Sequence, residues 1–332
     1  MKRLLSLILA LSMIFVLASC SNSATTGTTA AAVGSGLKAK SGTFTVAYAA
    51  VTTSLAPWTV ALANSFQAQC DANGWKATIY DGMGDPQKQA SQIDTIITMA
   101  DTVDLCLIFP TDPNSAATYA QKLKAAGIAV VMLNSDVPKE SQQYVSAYVG
   151  PDNAKMSGEL AKFVETKKGA DTALNYVVIS GVPVQQDYIE REAGLAAEIK
   201  NTKYTQLGAT QYALSDRSKA KSFMENFITQ YPNIDILFGL SDDLTLGGIQ
   251  AIADAGLTDK ITVVSIDGMK EAFAAIKAGT LDMSIQNPAK DFMAKFAEVT
   301  GKLIKGESVE YYSFTNYYIV TKDNVDTFTA EY

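Results

Sequence analysis

The sequence contains no histidine, and this absence excludes several classes of function. Without an imidazole there is no histidine-based catalytic triad, no histidine general acid or base, and no histidine-containing zinc site. The sequence also has no Gly-x-x-x-x-Gly-Lys-Ser/Thr phosphate loop, so any nucleotide hydrolysis belongs to a partner. We therefore expect neither a cofactor nor a metal site.

Basic residues are in deficit as well. The chain of 332 residues carries a formal net charge of −7, which becomes −9 when Lys2 and Arg3 of the N-terminal leader are set aside. This acidity argues against nucleic acid as a partner. An apolar fraction of 48% with 18% charged residues is typical of a globular protein, and the length suits two domains.

Cysteine is scarce too, with three residues in the chain, which is too few for a disulfide framework. Cys70 shares an apolar helical stripe with Leu62 and Phe66, whereas Cys106 lies within an apolar strand. Buried free thiols are therefore favoured over a disulfide between Cys70 and Cys106.

The third cysteine, Cys20, ends a segment that is typical of a secretory leader. Lys2 and Arg3 precede an apolar run over residues 4–17, which is shorter than the ~20 residues that span a bilayer. The run ends in Leu17-Ala-Ser-Cys20, which resembles the bacterial lipobox that is cleaved before a lipidated cysteine. This resemblance implies a signal peptide over residues 1–19 and a lipid anchor on Cys20; an ordinary cleavage site with a chance cysteine is the alternative.

After the leader, residues 21–42 consist mostly of Ser, Thr, Ala and Gly. Such a composition cannot bury a core, so residues 20–42 are predicted to be the lipidated cysteine and a flexible linker. The folded body is then extracytoplasmic and is held at the cell membrane by its lipid.

From residue 43 onward, apolar runs rich in Val, Ile, Tyr and Phe alternate with helix-length segments, such as 57–73, 219–231 and 242–255. This alternation predicts parallel sheets with right-handed crossovers. A weak repeat between 104–133 and 235–266 favours two Rossmann-like α/β lobes, with a ligand cleft at the carboxyl ends of their strands. The predicted strands cover residues 43–51, 76–80, 104–109, 128–133, 144–149, 174–180, 204–209, 235–240, 261–266 and 281–286, and 311–318 alternates like a further strand.

Eight short motifs follow one another in an informative order. They are Pro57-Trp58, Asp85-Pro-Gln-Lys-Gln89, Pro110-Thr-Asp112, Gly150-Pro-Asp-Asn153, Arg191-Glu-Ala-Gly194, Ser241-Asp-Asp243, Asp267-Gly268 and Gln286-Asn-Pro288. Together they resemble the ribose/galactose-type (type I) periplasmic binding proteins of sugar ABC transporters, over residues 43–322. The resemblance implies three hinge crossovers near Asp152, Asn287 and Tyr317, with lobe 1 over 43–151 plus 287–316 and lobe 2 over 152–286 plus 317–332. Lobes joined in this way close on a ligand by hinge motion.

The resemblance also implies where a sugar would be held. Sugars present flat C–H faces and a rim of hydroxyls, which aromatic and bidentate polar side chains recognise. Trp58 matches the aromatic plate and Arg191 the sugar-contacting arginine; a Trp packed into lobe 1 and a solvated Arg are the alternatives. Asn134 stands where the family often has Asp, so the charged grip is weaker there or passes to Asp136.

Four further ligand contacts are implied in lobe 2. Ser241 stands at a common Asn position, and Asp242 after it is either a ligand contact or a helix cap. Asp267 ends a strand and is expected to contact the ligand rather than to serve only as a turn residue. Gln286 lies at a crossover, where its amide reaches the ligand or holds the hinge.

These features predict a solute-binding lipoprotein, a monomer that captures a small polar ligand and delivers it to the subunits of an ABC permease. A monosaccharide is the favoured ligand, although Asn134 and Ser241 depart from the family pattern at positions that normally identify it. A sensor of the same fold, for a furanosyl signal, a polyol or a nucleoside, is the alternative. An enzyme is disfavoured, although a carboxylate pair such as Asp242 and Asp243 can hydrolyse glycosides without histidine.

Overall fold

A computed structural model of the chain describes residues 36–332. The predicted signal peptide over 1–19, the predicted lipid site Cys20 and the linker up to residue 35 lie outside the described residues. No helix within 36–332 is both long and apolar enough to cross a membrane.

Strands and helices alternate along the described chain. The strands are β1 (Thr45–Ala50), β2 (Lys76–Asp81), β3 (Leu105–Ile108), β4 (Ala129–Leu133), β5 (Ala147–Gly150), β6 (Leu174–Ser180), β7 (Tyr204–Gln206), β8 (Gln211–Tyr212), β9 (Ile236–Gly239), β10 (Thr262–Asp267), β11 (Met283–Gln286), β12 (Tyr312–Phe314) and β13 (Tyr318–Thr321). The helices are α1 (Pro57–Asn73), α2 (Pro86–Thr98), α3 (Pro113–Ala125), α4 (Asn153–Lys168), α5 (Gln186–Ile199), α6 (Arg217–Gln230), α7 (Asp242–Asp254), α8 (Lys270–Ala278) and α9 (Ala289–Lys305). Short 3-10 helices cover Lys139–Tyr144 and Val325–Thr327.

The strands form two sheets, one in each lobe. The first has the order β12-β5-β4-β3-β1-β2, and every neighbouring pair is parallel. The second has the order β13-β11-β10-β9-β6-β7, with β8 beside β6 and with β13 as its antiparallel edge. Helices cover both faces of each sheet, which explains why the central strands are continuous apolar runs. The predicted α/β class with two parallel-sheet lobes is confirmed.

The chain passes between the two sheets three times, from β5 to α4, from β11 to α9 and from β12 to β13. The third passage corrects one strand prediction. The alternating stretch 311–318 is not one strand, because β12 pairs with β5 in the first sheet and β13 pairs with β11 in the second.

Aspartates begin the helices that follow two strands of the first sheet. The carboxylate of Asp85 accepts hydrogen bonds from the backbone N–H groups of Gln87 and Lys88, and that of Asp112 accepts from Asn114 and Ser115. A proline follows each aspartate at the first helical position, where its missing N–H costs nothing. These caps reverse the chain at the carboxyl ends of the strands.

The last part of the predicted linker is bound to the first lobe rather than free. The backbone N–H of Leu37 donates to the carbonyl of Leu303 at 2.9 Å, and the Leu37 side chain packs on the core. The ammonium of Lys40 donates to the carbonyls of Ala100, Val103 and Gly127 at 2.8–2.9 Å. Composition alone missed these contacts because they depend on carbonyl groups far along the chain.

Cys70 and Cys106 are both buried and both free, as expected from the sequence. Burial raises the pKa of each thiol to about 12. They are thus core residues of the first lobe.

Candidate functional site

The carboxyl ends of the two sheets face each other across a cleft, and one side-chain contact joins the lobes there. The side chain of Asn134, directly after β4 in the first lobe, lies next to the carboxyl group of Asp187 on α5 in the second lobe. Asn134 has a positive φ of 58°, a conformation that Asn tolerates better than most residues. Its side chain is 2% exposed, and its Oδ1 atom has no hydrogen-bond partner among the described residues. The lobes therefore meet in a closed arrangement, with an unused acceptor between them.

Arg191 and Asp267 form the charged pair of the cleft. Nη1 of Arg191 lies 3.7 Å from Oδ1 of Asp267 and donates to the carbonyl of Leu240 at 2.7 Å. Nε of Arg191 donates to Oδ1 of Asn153 at 3.4 Å, and the guanidinium lies over the ring of Tyr188 at 5.4 Å. Because all these partners hold it in place, Arg191 is not the solvated arginine that the sequence left open.

Asp267 occupies the end of β10 in a strained backbone conformation. Its φ is 134°, a region that residues with side chains rarely adopt. Its carbonyl accepts a hydrogen bond from the Tyr332 hydroxyl at 2.9 Å. The side chain remains 21% exposed. Burial raises the pKa of Asp267, and the charge of Arg191 opposes that rise. The carboxylate thus lies where a ligand entering the cleft would meet it.

Asp242 plays a different part from the one implied by its family position. The side chain is fully buried and accepts hydrogen bonds from the Ser265 and Ser284 hydroxyls and from the backbone N–H groups of Gly268 and Met269. It is not the helix cap, since Ser241 precedes the first turn of α7 and its side chain makes no capping bond. A ligand contact of Asp242 stays a prediction. Asp242 holds the turn after β10, which in turn positions Asp267.

Ser241 precedes α7 and lies next to the charged pair of Arg191 and Asp267. Its buried side chain lies beside the side chains of Asp267 and Tyr188. The structure therefore brings Ser241 together with Arg191 and Asp267, and its contact with a ligand stays a prediction.

Asp136 is turned into the first lobe. Its carboxylate accepts from the Tyr311 hydroxyl at 2.7 Å, the Gln142 amide at 2.9 Å and the backbone N–H of Val137 at 2.8 Å. Burial raises its pKa. Asp136 lies near the cleft, but these donors already occupy its carboxylate oxygens. They do not favour Asp136 as the charged contact that replaces the family's aspartate at position 134.

Trp58 and Gln286 lie at the hinge. The Trp58 indole N–H donates to the carbonyl of Asn287 at 3.2 Å, and its ring makes edge contacts with Phe109 and Phe292 at centroid distances of 6.0 and 5.3 Å. The Gln286 amide donates to the carbonyl of Thr329 at 2.8 Å. For Gln286 these contacts match the hinge alternative, and for Trp58 they match the alternative of a ring packed into lobe 1.

Four residues of the site were missed from the sequence: Asp187, Tyr188, Glu190 and Asn287. Three of them lie in the first turns of α5, one turn or less before Arg191, so helical spacing from Arg191 was the available signal. Asn287 is 1% exposed, and its Oδ1 atom has no hydrogen-bond partner among the described residues. It resembles Asn134 in this respect.

Comparisons with known proteins agree with this geometry. A model of the family described as periplasmic binding protein domain matches residues 46–308. The chain is 32% identical over 258 residues to the ribose import binding protein of Bacillus subtilis (strain 168), covering 76% of this chain and 80% of that protein. It is 27% identical over 254 residues to the ribose import binding protein of Salmonella typhimurium (strain LT2), covering 76% and 83%. The solved structure of a galactofuranose binding protein superposes with a TM-score of 0.78 at 23% identity, covering 86% of this chain and 96% of that one.

Proposed function

The chain belongs to the periplasmic binding protein domain family, and from this membership we propose that it captures a monosaccharide or a similar polyhydroxylated ligand for an ABC importer. Two related proteins are ribose import binding proteins, and one structural neighbour is a galactofuranose binding protein. Ligand capture by lobe closure is the mechanism, and no bond of the ligand is broken.

One observation carries the proposal for this chain: polar groups from both lobes converge on one cleft and leave acceptors unused. Asn134 comes from the first lobe, Asp267 and Arg191 come from the second, and Asn287 lies at a crossing between them. Buried amide oxygens without a partner cost free energy in the absence of a donor. A sugar hydroxyl supplies that donor when the lobes close on it.

The mechanism follows from where these groups are attached. Arg191, held by the Leu240 carbonyl and by Asn153, keeps its orientation when the lobes separate, because all these partners belong to the second lobe. The Asn134 contact with Asp187 crosses the cleft and must break on opening. The ligand first binds one prepared lobe, and closure then adds the contacts of the other.

A thermal-shift screen tests this proposal. The full chain is heated with D-ribose, D-galactose, D-glucose, L-arabinose, xylitol and myo-inositol, each compared with buffer. A ligand that binds only the folded state adds about 2.7 kcal/mol at a concentration one hundred times its Kd, so the melting temperature rises. The absence of a shift with every sugar and polyol would contradict sugar capture.

We extend the proposal to the cellular setting. The protein is extracytoplasmic, anchored by a lipid on Cys20, monomeric, and recognised by permease subunits in its closed form. The lipobox resemblance of Leu17-Ala-Ser-Cys20 supports the anchor, which stays a prediction. A sensor role for the same fold is the second candidate; it would use the same cleft and differ in the receptor that reads the closed state.

The anchor predicts that Cys20→Ala releases the protein. The acyl chains would be absent, and each buried CH₂ contributes about 0.8 kcal/mol to membrane binding. Fractionation of cells by ultracentrifugation would find the variant in the soluble fraction and the unaltered chain in the membrane fraction. Cys70→Ala serves as the control, because that thiol is buried in the core. Continued membrane association of Cys20→Ala would rule out the lipid anchor.

A further inference from the structure

The cleft contains more carboxylates than the one that pairs with Arg191. Arg191 is paired with Asp267, at 3.7 Å. Asp187 and Glu190 approach from α5, and Asp136 lies across the cleft in the first lobe. Burial raises the pKa of Glu190, and the negative charges of Asp187 and Asp136 raise it further, so the three groups lie near one another.

Neutral groups make the hydrogen bonds to these additional carboxylates. Glu190 accepts from the amides of Gln186 and Asn153 at 3.0 and 3.2 Å. Asp136 accepts from a tyrosine hydroxyl, an amide and a backbone N–H. Burial raises the pKa of Asp187, and the charge of Arg191, which lies one turn away and is shared with Asp267, opposes that rise. Within residues 36–332, no Lys or Arg lies within ion-pair distance of Asp136, Asp187 or Glu190. The cleft therefore holds three carboxyl groups that have no ion-pair partner of their own among the described residues.

Two buried amide oxygens in this region also lack a hydrogen-bond donor. Oδ1 of Asn134 and Oδ1 of Asn287 have no donor among the described residues, although their side chains are only 2% and 1% exposed. The unused sites of the cleft are thus acceptors, and the missing group is a donor, preferably one that carries positive charge.

We propose that the ligand carries a primary ammonium group on a polyhydroxylated ring, as an amino sugar or an amino cyclitol does. This inference rests on the proposed capture of a sugar-like ligand and specifies its class. An ammonium has three donors and no acceptor, so it satisfies the Asn134 oxygen and the Asp187 carboxylate together. The ring hydroxyls then meet Arg191, Asp267 and Asn287. A neutral sugar would leave the additional carboxylates uncompensated in a closed cleft, which is costly.

Matched ligands test the class directly. Isothermal titration of the full chain at neutral pH compares D-galactosamine, D-galactose and N-acetyl-D-galactosamine, the corresponding glucose and mannose triplets, and scyllo-inosamine with scyllo-inositol. In the triplet or pair that fits the cleft, the amine is expected to bind at least about tenfold more tightly than the neutral and N-acetylated forms, because a buried charge pair is formed only with the amine.

Two charge-neutralising variants test which carboxylates cause the preference for an amine over its neutral counterpart. Asp187→Asn keeps the shape of the side chain and is expected to bring the amine and its neutral partner to within about threefold of each other. Glu190→Gln applies the same test with a second residue if Asp187→Asn does not fold. Asp171→Asn makes the same change in net charge at a side chain that is 97% exposed, and it should keep the full preference.

The outcomes separate this inference from the proposed function. Binding of neutral sugars that is equal to or tighter than that of their amines overturns the amine inference and leaves sugar capture intact. A preference for amines that Asp187→Asn and Glu190→Gln both leave unchanged overturns the assignment to this cleft. Failure of every sugar, polyol and amine to bind overturns both proposals.

Discussion

At the scale of single residues, two aspartates at neighbouring strand ends do different work. Asp242 is enclosed by two serine hydroxyls and two backbone N–H groups, whereas Asp267 keeps its carboxylate partly exposed beside Arg191. The first stabilises a turn and the second faces the cleft. Asp242 lies three residues after β9 and Asp267 ends β10, and these positions do not distinguish the two roles.

Substitution of each aspartate distinguishes the structural role of Asp242 from the ligand-facing role of Asp267. Asp242→Ala removes the acceptor of the Met269 N–H, of the shorter Gly268 N–H bond and of two serine hydroxyls, so we expect the free energy of unfolding of the ligand-free protein to fall by about 2–4 kcal/mol. Asp242→Asn should cost less than half of that, because its oxygen still accepts from the N–H groups and its amide donates to the serine hydroxyls. Urea denaturation followed by circular dichroism measures both.

Asp267→Asn is the matched comparison. Asn tolerates unusual backbone angles, so the stability of the ligand-free protein should change by less than about 1 kcal/mol, whereas ligand affinity should fall by tenfold or more. A loss of stability as large as that of Asp242→Ala would mean that Asp267 is structural.

Stability should also depend on pH in a defined direction. Burial raises the pKa values of Asp136, Asp187, Glu190, Asp242 and Asp267, so the folded chain binds protons more tightly than the unfolded chain, whose carboxyl groups titrate near pH 4. The contribution of these groups is fully present below that value and is lost as the pH rises through their raised folded-state pKa values. We expect the ligand-free protein to melt at a lower temperature at pH 8 than at pH 5.5, and Asp242→Asn to reduce the difference. An opposite slope would show that ion pairs elsewhere dominate.

Which site residues could be predicted depended on how local their partners are. Asp267 was predicted from a strand end and Arg191 from the family resemblance, and the two residues lie together in the cleft. Asp136 was assigned a ligand contact, but Tyr311, 175 residues further along the chain, occupies it. No pattern around Asp136 reports a donor that arrives from another strand, and the same holds for the serines around Asp242.

At the scale of elements, α4 and α5 pack so closely that only glycine fits between them. A Cβ added to Gly194 would lie 2.0 Å from the carbonyl oxygen of Ala154 on α4. This close approach fixes the position of α5, which carries Asp187, Glu190 and Arg191. The helix–helix contact in the second lobe thereby sets the geometry of the cleft.

We expect Gly194→Ala to force the two helices apart. The free energy of unfolding should fall by about 1–3 kcal/mol, and ligand affinity should fall as well because Arg191 moves with α5. Gly301→Ala is the matched control: nothing lies within 4 Å of the added Cβ, and a mid-helix alanine stabilises by about 0.5–1 kcal/mol. Unchanged stability and affinity in Gly194→Ala would show that the helices adjust without cost.

The elements themselves were largely predictable, because each depends on local pattern. The helix 57–73 has the same limits in the structure, and the Asp-Pro starts of α2 and α3 are sequence-local signals. The stretch 311–318 was not predictable in the same way. Alternation of side chains continues across the crossing between the sheets, so the pattern does not report that β12 and β13 pair with different partners.

At the scale of the whole molecule, the lobes are joined by three chain crossings, and the contact between Asn134 and Asp187 spans the cleft. We expect Asn134→Asp to favour the open form, because two carboxylates then face each other. Small-angle X-ray scattering would report a larger radius of gyration for this variant without ligand. Asn73→Asp, at an exposed position at the end of α1, is the control and should leave the radius unchanged. Equal radii for both variants would mean that this contact does not hold the lobes together.

The attachment of residues 37–40 has a consequence for the direction of mechanical load. Lys40 binds the carbonyls of Val103 and Gly127, which directly precede the amino ends of β3 and β4, and the cleft lies at the opposite ends of those strands. Any pull exerted from upstream of residue 36 is therefore borne by the first lobe, on the side away from the cleft. The second lobe is covalently connected to the first only through the three crossings, so it is the half that moves on opening while the first lobe stays fixed at its attachment.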